Sequence, residues 1–279
     1  MVLDDLKAKV ERIEGRTKRF IAAGEAQPEP WTLGLDSLDA ALPASGDNSS
    51  GSGSAALPYD ACHDFTPMVK TDVPQVAGFI AALLQRLPAQ RLQRGPVVWC
   101  QTAVNAREYG RIYPPGLLGG ILSPDSLLFV RVPKDRDLAL VLEECVRVPR
   151  LAAVVGEGPA PDFTASRRLT LASQESHVPC LILNTGNNIG ASAAATRWRV
   201  APIAGPPHPL DPEGPGFAAW SLTLSRARGG NAALNPTLAK PLEATWNDET
   251  HTFNLVSSFR PGTALESQTP YGQVQRPGQ

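Results

Sequence analysis

Short apolar runs recur along the middle of the chain at 96–101 (PVVWCQ), 127–132 (LLFVRV), 151–156 (LAAVVG) and 178–184 (VPCLILN). Runs of this length without polar alternation suit strands covered on both faces, so each is predicted as a sheet-centre strand. Between them, at 74–86, 135–147 and 162–176, apolar residues return at steps of three and four, as with Leu138, Val141, Leu142 and Cys145. That is the period of an amphipathic helix. Strands alternating with helices predict a parallel α/β sheet. After Asn184 the helical period stops. The segments 196–203 (TRWRVAPI), 219–226 (AWSLTLSR) and 242–255 (LEATWNDETHTFNL) alternate with period two, predicting an antiparallel extension at one edge of that sheet.

The flanks are patterned differently. Residues 1–24 place Leu3, Leu6, Val10, Ile13 and Phe20 at helical spacing among charges, predicting an amphipathic helix whose stripe docks on its own domain or on another chain. In 44–56 (ASGDNSSGSGSAA) no apolar side chain exceeds alanine, so this stretch is predicted as a flexible insertion. From 259 onward the chain is rich in Pro, Gly and Gln and is predicted as a disordered tail. This leaves 25–258 as the main domain.

With 279 residues, 42% of them apolar and 19% charged, one main core can bury roughly three quarters of the unfolded surface. A net charge of −1 excludes a global electrostatic drive onto nucleic acid or anionic lipid, so any such contact is local. No apolar stretch approaches the roughly 20 residues that span a bilayer, and the first residues lack a signal-peptide core, which predicts a cytoplasmic chain. The cysteines, Cys62, Cys100, Cys145 and Cys180, stand far apart without a CxxC, predicting buried reduced thiols and neither a disulfide frame nor a metal site.

Residues 57–85 read as strand, loop and amphipathic helix, the setting in which GxxxxGK[ST] cradles nucleotide phosphates. Here Asp64 stands at the first glycine position and Val69 at the second, with Pro67 and Met68 between. Glycines are required where backbone amides close around a polyanion, so the phosphate grip is expected to be lost even though Lys70 and Thr71 survive. Glu157 follows the apolar run 151–156, where a P-loop enzyme keeps the carboxylate that orients Mg²⁺. Without a phosphate loop, a solvated strand-end residue is the plainer expectation. Arg197, Arg199, Arg226 and Arg228 cluster in the C-terminal strands and read either as a site for phosphates or an acidic partner, or as ordinary edge-strand arginines. No GxSxG or HExxH is present, so His63, Asp64 and the nearby hydroxyl and thiol residues carry no hydrolase expectation.

The blocks WTLGLDSLDAAL (31–42), LPYDACHDF (57–65), VVWCQ (97–101) and YPPGLLGGILSPDSLLFVRV (113–132) resemble, in order, those of the ImuA family, RecA-like accessory proteins of bacterial damage-induced mutagenesis operons. The resemblance continues through DLALVLEECVRVPRLAAVVGE (137–157), SRRLTLAS (166–173), TRWRV (196–200) and SRARGG (225–230). It departs at 44–56, where relatives carry a glycine-rich turn. What it implies is a RecA-like three-layer α/β fold with a mainly parallel sheet, a degenerate nucleotide motif and no cofactor. It also implies partners: an ImuB-like relative of the Y-family polymerases, an error-prone C-family polymerase and RecA, with self-association and weak or indirect DNA contact beside them. The resulting expectation is a non-enzymatic adaptor in translesion synthesis, with Leu3, Leu6, Val10, Ile13 and the four arginines as partner-facing residues. Two other readings stay open on the residues alone. One is an ATP-binding or ATPase switch using Lys70, Thr71 and Glu157. The other is a single-stranded DNA binder using the arginines.

Overall fold

Apolar residues in this chain are distributed so that two helical layers can close over one sheet. The computed structural model describes residues 29–45, 54–113, 126–186, 190–208, 211–214, 216–230 and 240–256. In chain order, helix α1 (Asp36–Asp39) precedes a two-residue hairpin, β1 (Ala44–Ser45) with β2 (Ser54–Ala55). Strand β3 (Cys62–Pro67) leads into α2 (Val73–Gln85) and α3 (Ala89–Leu92), then β4 (Val97–Thr102), α4 (Ala103–Glu108) and β5 (Leu127–Val132). Helix α5 (Leu138–Val146), β6 (Ala153–Gly158), α6 (Phe163–Ser176) and β7 (Cys180–Asn184) complete the alternating part. Strands β8 (Thr196–Pro202), β9 (Ala219–Ala227), β10 (Leu242–Asn247) and β11 (Thr252–Leu255) follow. Among the described residues, nine of these strands form one sheet in the order β11-β10-β9-β8-β3-β7-β6-β4-β5. Every pairing from β8 to β5 is parallel and every pairing from β8 to β11 antiparallel. The fold is a three-layer α/β with a parallel block and an antiparallel C-terminal edge, as the sequence pattern predicts.

Alternation along each strand assigns side chains to the two layers. Val97 and Trp99 of β4 join Phe65, Leu183 and Trp198 on the face that α2 covers with Val76, Phe79, Ile80 and Leu83. Val98 and Cys100 of the same strand join Cys62, Val154, Cys180 and Ile182 under α5 and α6. Trp31 closes the first layer from outside: its indole N–H donates to the Leu83 carbonyl at 3.1 Å. The residues after it are held by Asp39, whose carboxylate accepts from the amides of Leu33, Gly34 and Leu35 at 2.8, 2.7 and 2.9 Å. Gly34 sits at φ +79°, a conformation that glycine adopts without strain.

One strand departs from expectation. The run 127–132 is predicted at the sheet centre, yet β5 is the terminal strand of the described sheet, with Leu128 50% and Phe129 42% exposed. The connection from β4 carries the chain outward to β5, and β6 then returns on the other side of β4. The insertion expected over 44–56 is paired at its ends by β1 and β2, and residues 46–53 lie outside the described residues. The predicted helix carrying Leu3, Leu6, Val10 and Ile13, and the tail from 259, also lie outside them.

Helix α5 approaches the sheet over two glycines. A Cβ at Gly156 would lie 2.5 Å from the Leu142 side chain, and one at Gly158 would lie 2.5 Å from Leu138 and 2.8 Å from Thr102. Both glycines are there for close approach. The Gly156→Ala variant is therefore expected to lose about 1–3 kcal/mol of stability through overpacking, read by urea or thermal unfolding. A second change, Leu142→Ala, should be less destabilising in that background than in the wild type.

Candidate functional site

In open parallel sheets ligands bind at the carboxyl ends of the strands, which here are the ends of β3, β7, β6 and β4. The segment after β3 is where a phosphate loop would lie, and most of it is strand. Asp64 and Phe65 pair with both neighbours, and Thr66 and Pro67 continue the ladder with Arg199 and Val200 of β8. Met68 then donates its amide to the Val200 carbonyl at 3.1 Å. Only Met68 and Val69 separate the strand from the 3₁₀ turn Lys70–Asp72 that begins the helical segment. No residue from Met68 to Asp72 has positive φ, so no concave nest of amides forms. The Val69 amide faces the Asp72 carboxylate at 3.4 Å, a resident negative charge where a phosphate would need a donor. Lys70 and Thr71 are exposed beside it.

Glu157 is one residue inside the end of β6 and is 2% exposed, so the expectation of a solvated strand-end carboxylate is corrected. Trp99 donates its indole N–H to one carboxylate oxygen at 3.1 Å, and the Gln101 amide donates to the other at 2.9 Å while also reaching the Gly110 carbonyl at 2.8 Å. Burial pushes the Glu157 carboxyl above its ordinary value, opposed by the bonds from Gln101 and Trp99. In register, Phe65 pairs with Leu183 and Leu183 with Glu157. Glu157 thus lies two strands, about 10 Å, from β3. Lys70 and Thr71 follow β3 and Glu157 stands on β6, with β7 between them.

Other polar groups fill the crest, and sequence reasoning missed them. Asn105 and Thr185 bond reciprocally at 3.0 and 3.1 Å. Asn184 accepts from the amides of Ala160 and Gly186 at 3.0 and 2.9 Å. These bonds tie the ends of β4, β6 and β7 together. The sequence signal is slight: Asn184 closes the run 178–184 and Thr185 follows it, and Asn105 lies four residues past the run 96–101.

His63 is fully buried and belongs to the core. Its Nε2 lies 3.0 Å from the Pro58 carbonyl, so it carries the proton, and Nδ1 accepts from the Thr196 hydroxyl at 2.8 Å. Thr196 in turn accepts from the Trp198 indole at 2.8 Å. Burial lowers the imidazole to about 4, which keeps it neutral at physiological pH.

Arg197 is half-buried, and the other three arginines, Arg199, Arg226 and Arg228, are exposed. Arg197 on β8 forms an ion pair with Asp64 on β3 at 3.5 Å, and Arg226, its cross-strand partner on β9, donates to the Ser192 carbonyl at 3.1 Å. Asp64 is raised by burial, against which a hydrogen bond from Ser192 and the charges of Arg197 and Arg226 act. Arg199 and Arg228 are exposed, Arg199 opposite Thr223 and Arg228 just past β9, where its backbone amide meets the Ala195 carbonyl at 2.7 Å. Among the described residues no cluster of three or more His, Cys, Asp or Glu is placed to hold a metal, and no helix is long and apolar enough to cross a membrane.

No protein-family model matches the chain. Protein ImuA of Caulobacter vibrioides strain NA1000 / CB15N is 30% identical over 221 residues, which span 75% of this chain and 83% of that protein. Protein ImuA of Caulobacter vibrioides strain ATCC 19089 / CIP 103742 / CB 15 shows the same identity and coverage.

The Asp64–Arg197 pair makes a pH-dependent prediction. Asp64 has its folded pKa above the ordinary value of 3.8, so the folded chain holds that proton more tightly than the unfolded chain. Stability then falls as pH rises from the unfolded pKa through the folded one. Arg197→Ala removes a charge that opposes the rise and extends this window upward. The variant should lose about 3 kcal/mol near neutral pH, where the buried Asp64 carboxylate loses its ion-pair partner and keeps only the Ser192 bond and the Arg226 charge. It should lose less at pH 5, as measured by denaturant unfolding at both values.

Proposed function

The chain belongs to the ImuA family, and from that premise we propose that it serves as a non-enzymatic adaptor in damage-induced, error-prone translesion DNA synthesis. It joins an ImuB-like relative of the Y-family polymerases to an error-prone C-family polymerase, with RecA as a further partner. The observation that carries the non-enzymatic part is the continuation of β3 through Pro67, followed by a turn whose Val69 amide faces the Asp72 carboxylate. A triphosphate brought there meets a negative side chain and no glycine-lined cradle. Glu157, with each oxygen accepting a bond from Trp99 or Gln101, is held inside the sheet.

For the adaptor part, the exposed Arg199 and Arg228 offer bidentate donors to an acidic partner segment. The same pair could engage a single strand of DNA. Two phosphates neutralised on a single strand give a log–log salt slope of only about −1.4, so direct DNA binding is expected to be weak at physiological salt.

Two measurements test this reading. A site with a Kd of 10 μM would stabilise the chain by about 2.7 kcal/mol in 1 mM Mg-ATP, enough to raise Tm by roughly 5–10 °C. The expected shift is below about 1 °C. A larger shift, or hydrolysis abolished by Lys70→Ala, restores the nucleotide-switch reading. In the second measurement, co-purification with the ImuB-like partner should weaken at least about tenfold in the Arg199→Ala/Arg228→Ala variant while its melting curve is unchanged. Tight DNA binding lost in that variant, with partner association intact, moves the function to nucleic-acid binding.

A further inference from the structure

The four cysteines, separated along the sequence, meet in one layer of the fold. Cys62, Cys100 and Cys180 are core residues beneath α5 and α6, and Cys145 of α5 packs against them. They form two pairs. Cys62 and Cys180 sit opposite each other on β3 and β7, both fully buried. Cys100, fully buried on β4, interacts thiol to thiol with Cys145, which is only partly buried. Helix α5, which carries Cys145, packs on β4, which carries Cys100. The chain thus holds one accessible thiol backed by one sealed thiol, and beside them a pair closed to solvent.

We propose that Cys145 and Cys100 form a peroxide-oxidisable pair, in which Cys145 reduces a hydroperoxide and Cys100 closes an intramolecular disulfide. The Cys145 thiolate attacks the terminal oxygen of the hydroperoxide, the O–O bond breaks, and the departing alkoxide, or hydroxide from hydrogen peroxide, takes up the proton that Cys145 released. Cys145 is then a sulfenic acid, oxidised by two electrons. Cys100 sulfur attacks Cys145 sulfur, the S–S bond forms, and hydroxide leaves with the Cys100 proton as water. In sum, two thiols and ROOH become a disulfide, ROH and H₂O. The hydrogen bond from Cys100 lowers the Cys145 thiol from 9.0 to about 7, against burial and the charge of Glu144, while the same bond raises Cys100. Cys145 is also the member of the pair that reaches solvent, as attack on a peroxide requires.

The test treats the reduced full-length chain with hydrogen peroxide, blocks remaining thiols by alkylation after unfolding, and maps the peptides by mass. Free thiols should fall from four to two, with the Cys100 and Cys145 peptides linked and lighter by two hydrogens, and with Cys62 and Cys180 both alkylated. Cys145→Ser should keep its three remaining thiols under the same dose. In Cys100→Ala the reaction should stop at a sulfenic acid that dimedone traps on Cys145. Should that buried substitution prevent folding, the wild-type map decides by itself. Cys145 oxidised to sulfinic acid with Cys100 still free, a disulfide between chains, or equal thiol loss in Cys145→Ser would each overturn the assignment.

Discussion

Strand β3 stays in register with β8 for two residues beyond the point where its pairing with β7 ends, and the upper end of the molecule is organised by that extension. A chain that leaves a central strand early can curl back over its own helix N-terminus. One held to a neighbour through Pro67, and then by the Met68 amide on Val200, has only two residues left before the helical segment begins. The proline fits because it stands where the β7 ladder has already stopped and its missing N–H orphans no acceptor there.

The same constraint accounts for the charges around it. Holding Asp64 inside the strand buries its carboxylate, and the lowest-energy answer available in the fold is the arginine that β8 places directly opposite. Glu157 solves the same problem differently, with neutral donors from Trp99 and Gln101 in place of a cation. Both acids are therefore parts of the sheet's interior. The chemistry left exposed at this end is cationic and apolar: Lys70, Arg199, Met68 and Val69.

The sheet was largely legible in the sequence because unbroken apolar runs and period-two runs differ in a way that burial on two faces or one directly explains. The missing glycines of the phosphate motif were legible too, since glycines are either present or absent. Neighbours in space were not. An apolar run such as 127–132 carries no mark of whether a strand has one partner or two, so β5 was expected in the centre. Arg197 looked free because Asp64, its partner, stands on another strand far back in the sequence. Cys100 and Cys145 looked unrelated because one stands on a strand and the other on a helix more than forty residues later. Glu157 was placed one residue too far out, enough to mistake an interior group for a surface one.

The outer margin of β5 has a bearing on how the chain keeps to itself. Among the described residues β5 has a neighbour on one side only, and Leu128 and Phe129 offer side chains that would stabilise a second strand laid alongside. Between them and the helix that follows stand Arg131 and Lys134, both exposed. Two like charges at the end of such a margin repel an identical margin from a neighbouring molecule, the same device by which natural edge strands discourage pairing.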